Sequence, residues 1–228
     1  MDRELTARTG FCHIPGFLTA AQQDEFVAAA RNLAAAAPLQ HPRMRDGRPL
    51  SVRVSSFGER GWWADEQGYR YIERHPTGVA FPPIPMDIAG ATRTALWDAG
   101  ADRWIDDIER HVASIDTCLV NLYAPGAQLG RHIDQTERDR VSPIVTFSVG
   151  ASCTFAVWLE DRGEPRAVRV ALHSGDAVVM AGPSRLAEHM DTEVRPAPQG
   201  DLFGGNYDPL HKTAPGTRLS FTVRRTGY

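Results

Sequence analysis

The sequence predicts an α+β protein whose core is a jelly roll, with helices packed on one sheet. Helical periodicity is confined to the first part of the chain, where Phe26, Ala30 and Leu33 recur at the spacing of one helix face. From about residue 114 the pattern changes to short β-prone runs separated by turn residues, which is typical of antiparallel two-sheet barrels. We therefore expect a single domain over residues 1–228, with N-terminal helices in about 1–113 and a jelly-roll core in about 114–228.

Two helices are predicted in the N-terminal part. The first begins after Thr19, which is a suitable N-cap, and Gln22 three residues later completes a capping box. Pro38 ends this helix, since proline cannot continue it. The second helix covers residues 86–99 and is closed by Gly100.

Two unusual stretches lie between these helices. Residues 39–60 contain arginines and no lysine around a predicted turn at Asp46-Gly47, and these arginines are Arg43, Arg45, Arg48, Arg53 and Arg60. They could line phosphates, which arginine binds with two hydrogen bonds, or belong to a solvated hairpin, and both interpretations stay open.

Residues 61–71 hold four large aromatic side chains among polar ones. They could stack on an unstacked base or form a local cluster that packs a long loop.

The strands of the C-terminal part are predicted from runs of apolar residues. The run at 116–123 is cut off by the turn Pro125-Gly126, and alternation places Leu119, Asn121 and Tyr123 on one face. Two polar side chains thus point the same way near the end of a strand. An extended segment at 11–17 and further strands are expected at 143–149, 153–159, 168–172, 177–180 and 218–224.

Composition limits the classes of function. With 228 residues and 25.1 kDa, the chain can bury a substantial core. The net charge of −3 gives no overall basic character, so any nucleic-acid contact must be a local patch. Three scattered cysteines indicate reduced thiols rather than a disulfide framework or a zinc site. Neither a signal peptide nor a membrane-spanning run is recognisable, so we expect a soluble, cytoplasmic monomer without a membrane partner.

A metal site is predicted around a His-x-Asp pair, His132 and Asp134, just after the turn. One imidazole and one carboxylate, completed by a distant histidine, form the facial triad of non-haem Fe(II) oxygenases. The pair alone is more typical of a surface histidine that is hydrogen-bonded to an aspartate in a loop. Among the later histidines, His173 suits a turn, His211 lies in a loop rich in Gly, Pro and Asp, and His189 follows a strand by a short loop. We therefore expect His189 to be the third metal ligand.

The last predicted strand has a basic and polar face. Period-two alternation puts Arg218, Ser220, Thr222 and Arg224 on that face. Placing such a face inside a barrel is unfavourable unless it binds an anion. A dicarboxylate cosubstrate would satisfy it, with Arg218 on the distal carboxylate. A solvated edge strand is the alternative.

Taken together, these residues resemble the AlkB family of Fe(II)/2-oxoglutarate-dependent dioxygenases, which remove N-alkyl lesions from nucleic acid bases. The resemblance implies a double-stranded β-helix (jelly roll) with an N-terminal substrate lid that recognises the nucleotide. It runs from about residue 51 to 224 and rests on motifs in one order, namely Gly61-Trp62, Gln67-Gly-Tyr69-Arg-Tyr71, Asn121-x-Tyr123-x-Pro-Gly-Ala-x-Leu129, His132-x-Asp134, Pro143-Ile-Val, Gly175-Asp, Ser184-Arg-Leu, His189, and Arg218 with Arg224.

The resemblance also implies roles for individual residues. Fe(II) would be bound by the catalytic residues His132, Asp134 and His189, with 2-oxoglutarate and O2 as cosubstrates. The 2-oxoglutarate would be bound by Asn121, Tyr123, Arg218, Ser220 and Arg224. Trp62 and Tyr69 match the lid aromatics that pack on a flipped base, and Tyr71 lies beside them.

Two departures from the family pattern concern the substrate. Thr136 stands where bacterial repair enzymes carry a second aspartate that helps to read the damaged base, and it is followed by Glu137. We take Thr136 as a candidate substrate contact. Residues 200–212 form additional chain between His189 and Arg218. Neither change touches the residues expected to bind iron.

The implied function is oxidative demethylation of bases of the 1-methyladenine and 3-methylcytosine type in DNA, or also RNA, releasing formaldehyde, succinate and CO2. Alkylated single strands are the expected partner, because their bases are the easiest to present. One alternative is the same chemistry on modified tRNA, a protein or a small metabolite. Another is a non-catalytic nucleic-acid-binding module, which the complete set of metal and anion residues disfavours.

Overall fold

The computed structural model describes residues 3–192, 194 and 216–228. The helices within these residues are α1 Arg3–Thr9, α2 Ala20–Ala36, α3 Met86–Asp98 and α4 Ile108–Ala113, with short 3-10 turns at Ala101–Arg103 and Gly182–Leu186. The strands are β1 Phe11–Ile14, β2 Val52–Gly58, β3 Gly61–Asp65, β4 Gly68–Ile72, β5 Thr117–Tyr123, β6 Leu129–His132, β7 Ile144–Gly150, β8 Cys153–Asp161, β9 Glu164–Leu172, β10 Ala177–Met180, β11 Glu188–Asp191 and β12 Arg218–Arg224. No helix in this part of the chain is long and apolar enough to cross a membrane.

Two antiparallel sheets form the core. The major sheet has the strand order β1-β10-β7-β12-β5-β2, and the minor sheet has the order β6-β11-β8-β9. The β3–β4 hairpin forms a separate two-stranded sheet. Apart from the β8–β9 hairpin, neighbouring strands in both large sheets are distant in sequence, as in a jelly roll. The predicted α+β jelly roll is confirmed.

Helices α2 and α3 cover the outer face of the major sheet. Cys118, Val120 and Leu122 of β5 lie in the same hydrophobic cluster as the buried residues of these helices. Phe26 of α2 meets the ring of Phe221 at 4.9 Å in an edge-to-face arrangement, which adds about 0.5–1.5 kcal/mol beyond simple burial. The predicted capping box at the start of α2 is present. The helices therefore cover one sheet, as expected.

The opposite face of β5 points between the two sheets. Leu119 and Tyr123 belong to a second hydrophobic cluster that includes Phe155 of the minor sheet and Met180 of the major sheet. Asn121 lies on this same face and is buried. A polar side chain among apolar neighbours needs a partner, which makes this end of the interior a candidate site.

The N-terminal part contributes more strand than the sequence predicted. β1 pairs with β10 and β2 pairs with β5, so both end strands of the major sheet come from the first 113 residues. Neither the phosphate-lining nor the solvated-hairpin interpretation of residues 39–60 included the buried strand β2. Its apolar pattern is broken by Arg53, Ser55 and Ser56, and the Ser55 hydroxyl is satisfied by donating to the Ala37 carbonyl at 2.7 Å. α1, α4 and β6 were not predicted either, because they are too short for a periodic signal.

Asp176 fixes the turn between β9 and β10. Its buried carboxylate accepts hydrogen bonds from the backbone N–H groups of Gly16 at 2.8 Å and His173 at 2.9 Å, and bonds to the ring of His13 at 2.9 Å. Burial raises the pKa of Asp176, but these hydrogen bonds outweigh burial and hold the pKa below its usual value. The carboxylate is therefore ionised and links the segment after β1 to this turn.

Asp176→Ala is expected to lower the free energy of unfolding by about 2–3 kcal/mol, since a charged acceptor is lost and buried donors are left unpaired. The folded pKa is below that of an unfolded aspartate, about 3.9. The stabilisation is therefore complete at neutral pH and is lost as pH falls through the folded pKa. Urea unfolding near neutral pH and at about pH 3 measures both effects. Asp106→Ala, at an exposed position, is the control; an equal loss in both variants would contradict the prediction.

Candidate active site

A cavity of about 180 Å³ opens between the two sheets beside the β3–β4 hairpin. Its walls are mainly apolar, with polar side chains at defined places. Most of the residues predicted for the site line it, and they are Trp62, Tyr69, Asn121, Tyr123, His132, Asp134, Thr136, His189, Ser220 and Arg224. Tyr71 and Arg218 do not line it directly.

Strand pairing brings two histidines together. His132 ends β6 and His189 lies in β11, and the two are direct partners in the β6–β11 ladder. Asp134 follows β6 by two residues and lies 3.9 Å from His132 Nε2 and 3.8 Å from His189 Nε2. One ligand atom from each of the three residues lies within 4.8 Å of the others, so the group could hold one metal ion.

Hydrogen bonding selects the histidine tautomers. The Nδ1 atom of His132 lies 2.7 Å from the Gly130 carbonyl, and that of His189 lies 3.1 Å from the Ala187 carbonyl. A carbonyl oxygen can only accept, so each Nδ1 carries the proton. Both Nε2 atoms then face Asp134 with a free lone pair, which is the arrangement found in metal-ligating histidines.

The charge states of this group also suit a divalent metal. Burial raises the pKa of Asp134, but the charge of Arg224 and the two neighbouring histidines outweigh burial and hold the pKa well below its usual value. Burial lowers the pKa of His189, so its imidazole is neutral. Two imidazoles and one carboxylate on one side of an open cavity match the Fe(II) donor set.

Asp134 is held by a buried network of ion pairs and hydrogen bonds. Arg224 contacts Asp134 at 3.2 Å and also donates to Glu137. Glu137 accepts a further bond from the Tyr71 hydroxyl at 2.6 Å and lies 3.6 Å from Arg185. Tyr71, which we expect beside the lid aromatics as a substrate contact, directs its hydroxyl into this network.

Arg218 lies behind Tyr123, at the side of the cavity that we call the distal end, and does not line the cavity itself. It is fully buried, its Nε donates to Ser148 at 2.8 Å, and its guanidinium lies over the Tyr123 ring at 4.8 Å. Among the described residues, Nη1 and Nη2 find no hydrogen-bond acceptor. Buried donors without acceptors are rare, and these fit an anionic group such as a carboxylate.

Asp191 is the residue at this end that sequence reasoning missed. Its carboxylate lies 3.5 Å from Arg218 Nη1 and accepts the Tyr123 hydroxyl at 2.6 Å. Burial raises the pKa of Asp191, but the charge of Arg218 and the bond from Tyr123 outweigh burial and lower it. Its place two residues after His189, on the same face of a strand, was the available signal.

The β3–β4 hairpin closes one side of the cavity mouth. Trp62 and Tyr69 stack on each other with ring centroids 5.6 Å apart, and both line the cavity. Tyr69 remains 54% exposed, so an aromatic surface is open to a ligand. Thr136 lines the cavity as well. His211 and the predicted additional segment at 200–212 lie outside the described residues.

Comparison with known proteins identifies the family. A sequence profile of the 2OG-Fe(II) oxygenase superfamily matches residues 10–224. The alpha-ketoglutarate-dependent dioxygenase AlkB homolog of Caulobacter vibrioides (strain NA1000 / CB15N) is 33% identical over 225 residues, which cover 98% of this chain and 90% of that protein. The chain belongs to the AlkB family. This AlkB-family protein is therefore an enzyme, an Fe(II)- and 2-oxoglutarate-dependent dioxygenase that uses O2.

Solved structures and further relatives extend the comparison. The AlkB-family chain matches the structure of OsALKBH1 with a TM-score of 0.74 and 28% identity, over 96% of this chain and 97% of that one. Relatives whose names state a substrate differ in it. The DNA N(6)-methyladenine demethylase ALKBH1D of Arabidopsis thaliana is 30% identical over 99% of this chain and 49% of its own length. The tRNA demethylase abh1 of Schizosaccharomyces pombe is 42% identical over 36% of this chain and 26% of its own length.

Proposed function

We propose that this enzyme demethylates N-alkylated bases of the 1-methyladenine and 3-methylcytosine type in single-stranded nucleic acid, with DNA as the first substrate to test. One observation supports the proposal most directly. The same cavity holds the His132, Asp134 and His189 group and, at its mouth, the stacked pair of Trp62 and Tyr69. A flat base stacked on these aromatics would present its edge to the metal.

The proposed ligands of Fe(II) are His132, Asp134 and His189. When bound, Fe(II) supplies the activation of O2 at the expense of 2-oxoglutarate, which leaves as succinate and CO2. One oxygen atom converts the N–CH3 group of the cationic base to N–CH2OH, and this group then releases formaldehyde and a proton and leaves the unmethylated ring nitrogen. The protein's part is to hold the three reactants in the required geometry.

The cosubstrate is proposed to extend from the metal group toward Arg218. Asn121 and Ser220 are direct partners in the β5–β12 ladder and both line the cavity. Arg224 stands beside Asp134 and would contact the 2-oxo acid end, while Arg218 and Tyr123 stand at the distal end. Alternate residues of β12 thus supply both ends of the binding site.

The hairpin side is proposed to receive the nucleic acid. A target base must leave its stack to reach a buried metal, which is easiest for a single strand. The arginine-containing segment before β2 adjoins the hairpin. The backbone N–H of Arg43 donates to the Ala64 carbonyl, and the Arg45 side chain lies beside Gly68. Arg48 is paired with Asp46, whereas Arg45 is exposed and has no carboxylate partner within the described residues. Arg45 is therefore the proposed phosphate contact.

A reducing compartment suits the proposed function. Cys12, Cys118 and Cys153 are all buried thiols without a disulfide. Burial raises the pKa of Cys153 to about 12, which keeps the thiol protonated at neutral pH. These features support the expectation of a cytoplasmic protein.

Trp62→Ala is expected to reduce kcat/KM for demethylation by about 5- to 150-fold, because base–aromatic stacking contributes about 1–3 kcal/mol. Conversion of 2-oxoglutarate without nucleic acid should remain, since Trp62 is neither a proposed metal ligand nor a proposed 2-oxoglutarate contact. Succinate and demethylated oligonucleotide are measured separately. Trp97→Ala, at a 53% exposed position on α3, is the control. An equal loss of both products would make Trp62 a structural residue.

The decisive experiment uses the Fe(II)-loaded protein, 2-oxoglutarate and a single-stranded DNA oligonucleotide carrying one 1-methyladenine. Loss of one methyl group with an equal amount of succinate is the expected result. Succinate without methyl loss would overturn this substrate and favour the same chemistry on modified tRNA, a protein or a small metabolite, with Thr136 as the residue to examine. Bound iron without any succinate would favour the non-catalytic binding module. A matching RNA oligonucleotide then separates DNA from RNA.

A further inference from the structure

The distal end of the cavity contains a carboxylate that the proposed function does not use. Asp191 lies in β11 with its side chain only 11% exposed. It accepts the Tyr123 hydroxyl at 2.6 Å and lies 3.5 Å from Arg218 Nη1. These are the two groups proposed to receive the distal carboxylate of 2-oxoglutarate. Asp191 therefore binds the same hydroxyl donor and the same guanidinium that the cosubstrate would also need.

The surroundings of Asp191 prevent it from moving away easily. β11 pairs with β8 on one side and with β6 on the other, and Asp191 stands opposite Phe155 and Leu129 in these ladders. Its other oxygen lies 3.8 Å from the Cys153 thiol. The backbone is thus held on both sides, and the side chain is largely buried at the wall of the cavity. In such surroundings, charges interact more strongly than in water.

The charges of Arg218 and Asp191 determine how strongly the distal end of the cavity binds an anion. Arg218 and Asp191 form a neutral pair, and among the described residues no other ion pair is made by Arg218. A second carboxylate would accept from the Nη atoms of Arg218, which have no hydrogen-bond acceptor among the described residues, but it would also stand beside Asp191. Two carboxylates sharing one site repel each other. The attraction of Arg218 for the incoming anion is therefore largely offset.

We propose that Asp191 is a specificity residue for the 2-oxo acid: it holds Arg218 and Tyr123 and competes with the distal carboxylate of 2-oxoglutarate. The inference rests on the proposed cosubstrate site. It means that the enzyme binds 2-oxoglutarate more weakly than the free arginine would allow. Its preference for 2-oxoglutarate over a 2-oxo acid with an uncharged tail is correspondingly small.

Direct binding tests the inference without nucleic acid or turnover. The protein is loaded with Mn(II) in place of iron and titrated by calorimetry with 2-oxoglutarate and with 2-oxopentanoate, which has the same carbon chain without the distal carboxylate. For the wild-type protein, we expect 2-oxoglutarate to bind less than about tenfold more tightly, because a full charged hydrogen bond would contribute roughly tenfold to a hundredfold. A preference of a hundredfold or more would overturn the inference, and this result needs no variant.

Asp191→Asn removes the charge and keeps the shape. We expect it to tighten 2-oxoglutarate binding by about tenfold or more and to change 2-oxopentanoate binding by less than about twofold. The variant should also unfold at a lower temperature without ligand, since Arg218 loses its counter-charge, and should gain more stability than the wild type from saturating 2-oxoglutarate. Glu188→Gln is the matched control, because Glu188 lies in the same strand but pairs outward with Arg131.

The outcomes separate this inference from the proposed function. Unchanged or weaker 2-oxoglutarate binding in Asp191→Asn, with normal binding by the wild type, would overturn the role of Asp191 alone. If the Mn(II)-loaded wild type bound neither 2-oxo acid, the proposed cosubstrate site would fail and the role of Asp191 with it.

Discussion

Asp134→Ala is expected to abolish 2-oxoglutarate turnover and to leave the fold intact. Asp134 is the only carboxylate in the proposed metal group, and it faces the Nε2 atoms of both histidines at 3.8–3.9 Å. Loss of a residue that merely orients a metal ligand lowers metal affinity or activity by about 10- to 100-fold. Loss of the ligand itself should exceed 100-fold. Succinate formation and bound iron, measured on the same sample, are both expected to fall to background.

Stability separates this effect from unfolding. Arg224 keeps Glu137 as its partner when Asp134 is removed, so the buried guanidinium is not left without a counter-charge. We expect the thermal midpoint of the metal-free variant to stay close to that of the wild type. Glu188→Gln removes a carboxylate next to His189 and should retain full turnover. Normal turnover by Asp134→Ala would exclude the proposed ligand set.

Glu137→Gln is expected to produce the largest loss of stability, about 3–5 kcal/mol in the free energy of unfolding. Glu137 is only 2% exposed and is the acceptor for Tyr71, with Arg224 and Arg185 on either side. Without its charge, two buried guanidinium groups face each other with too little negative charge between them. Breaking a buried ion pair by removing one partner is more destabilising than replacing the whole network.

The loss should depend on pH in a defined direction. Burial raises the pKa of Glu137, but the charge of Arg224 and the bond from Tyr71 outweigh burial and keep the pKa below its ordinary value. The contribution is therefore present above the pKa of an unfolded glutamate, about 4.3, and is lost as pH falls through the folded pKa. Urea unfolding at neutral and acidic pH tests this, with exposed Glu66→Gln as the control. A loss below about 1 kcal/mol would show that water or relaxation compensates the charge.

The parts of the fold that follow a strict period were predictable. β5 and β12 alternate cleanly, so the faces of Asn121, Tyr123, Ser220 and Arg224 could be assigned before the structure, and the structure confirms those faces. β2 could not be recognised, because polar residues break its apolar pattern and the partner of buried Ser55, the Ala37 carbonyl, lies in a distant segment. Short elements such as α4 and β6 carry too few residues for a periodic signal.

The metal group of the site was more predictable from the sequence than the buried carboxylates around it. His132 and Asp134 are neighbours in sequence, and His189 could be selected among three later histidines from the loop that precedes it. The contacts of Glu137 and Asp191 depend on which residues oppose each other across paired strands and packed sheets, and period-two patterns do not specify that register. The network around Arg224 and the ion pair of Arg218 therefore emerged only with the structure.

The origin of the two end strands has a consequence for dissecting this chain. β1 and β2 cap the major sheet on its two sides, although both precede residue 114. A fragment limited to residues 114–228 would leave one side of β10 and one side of β5 with unpaired backbone groups. Exposed strand edges of this kind pair with other molecules and aggregate. We therefore expect a fragment of residues 114–228 to be insoluble, and its insolubility would reflect the missing edge strands rather than a defective site.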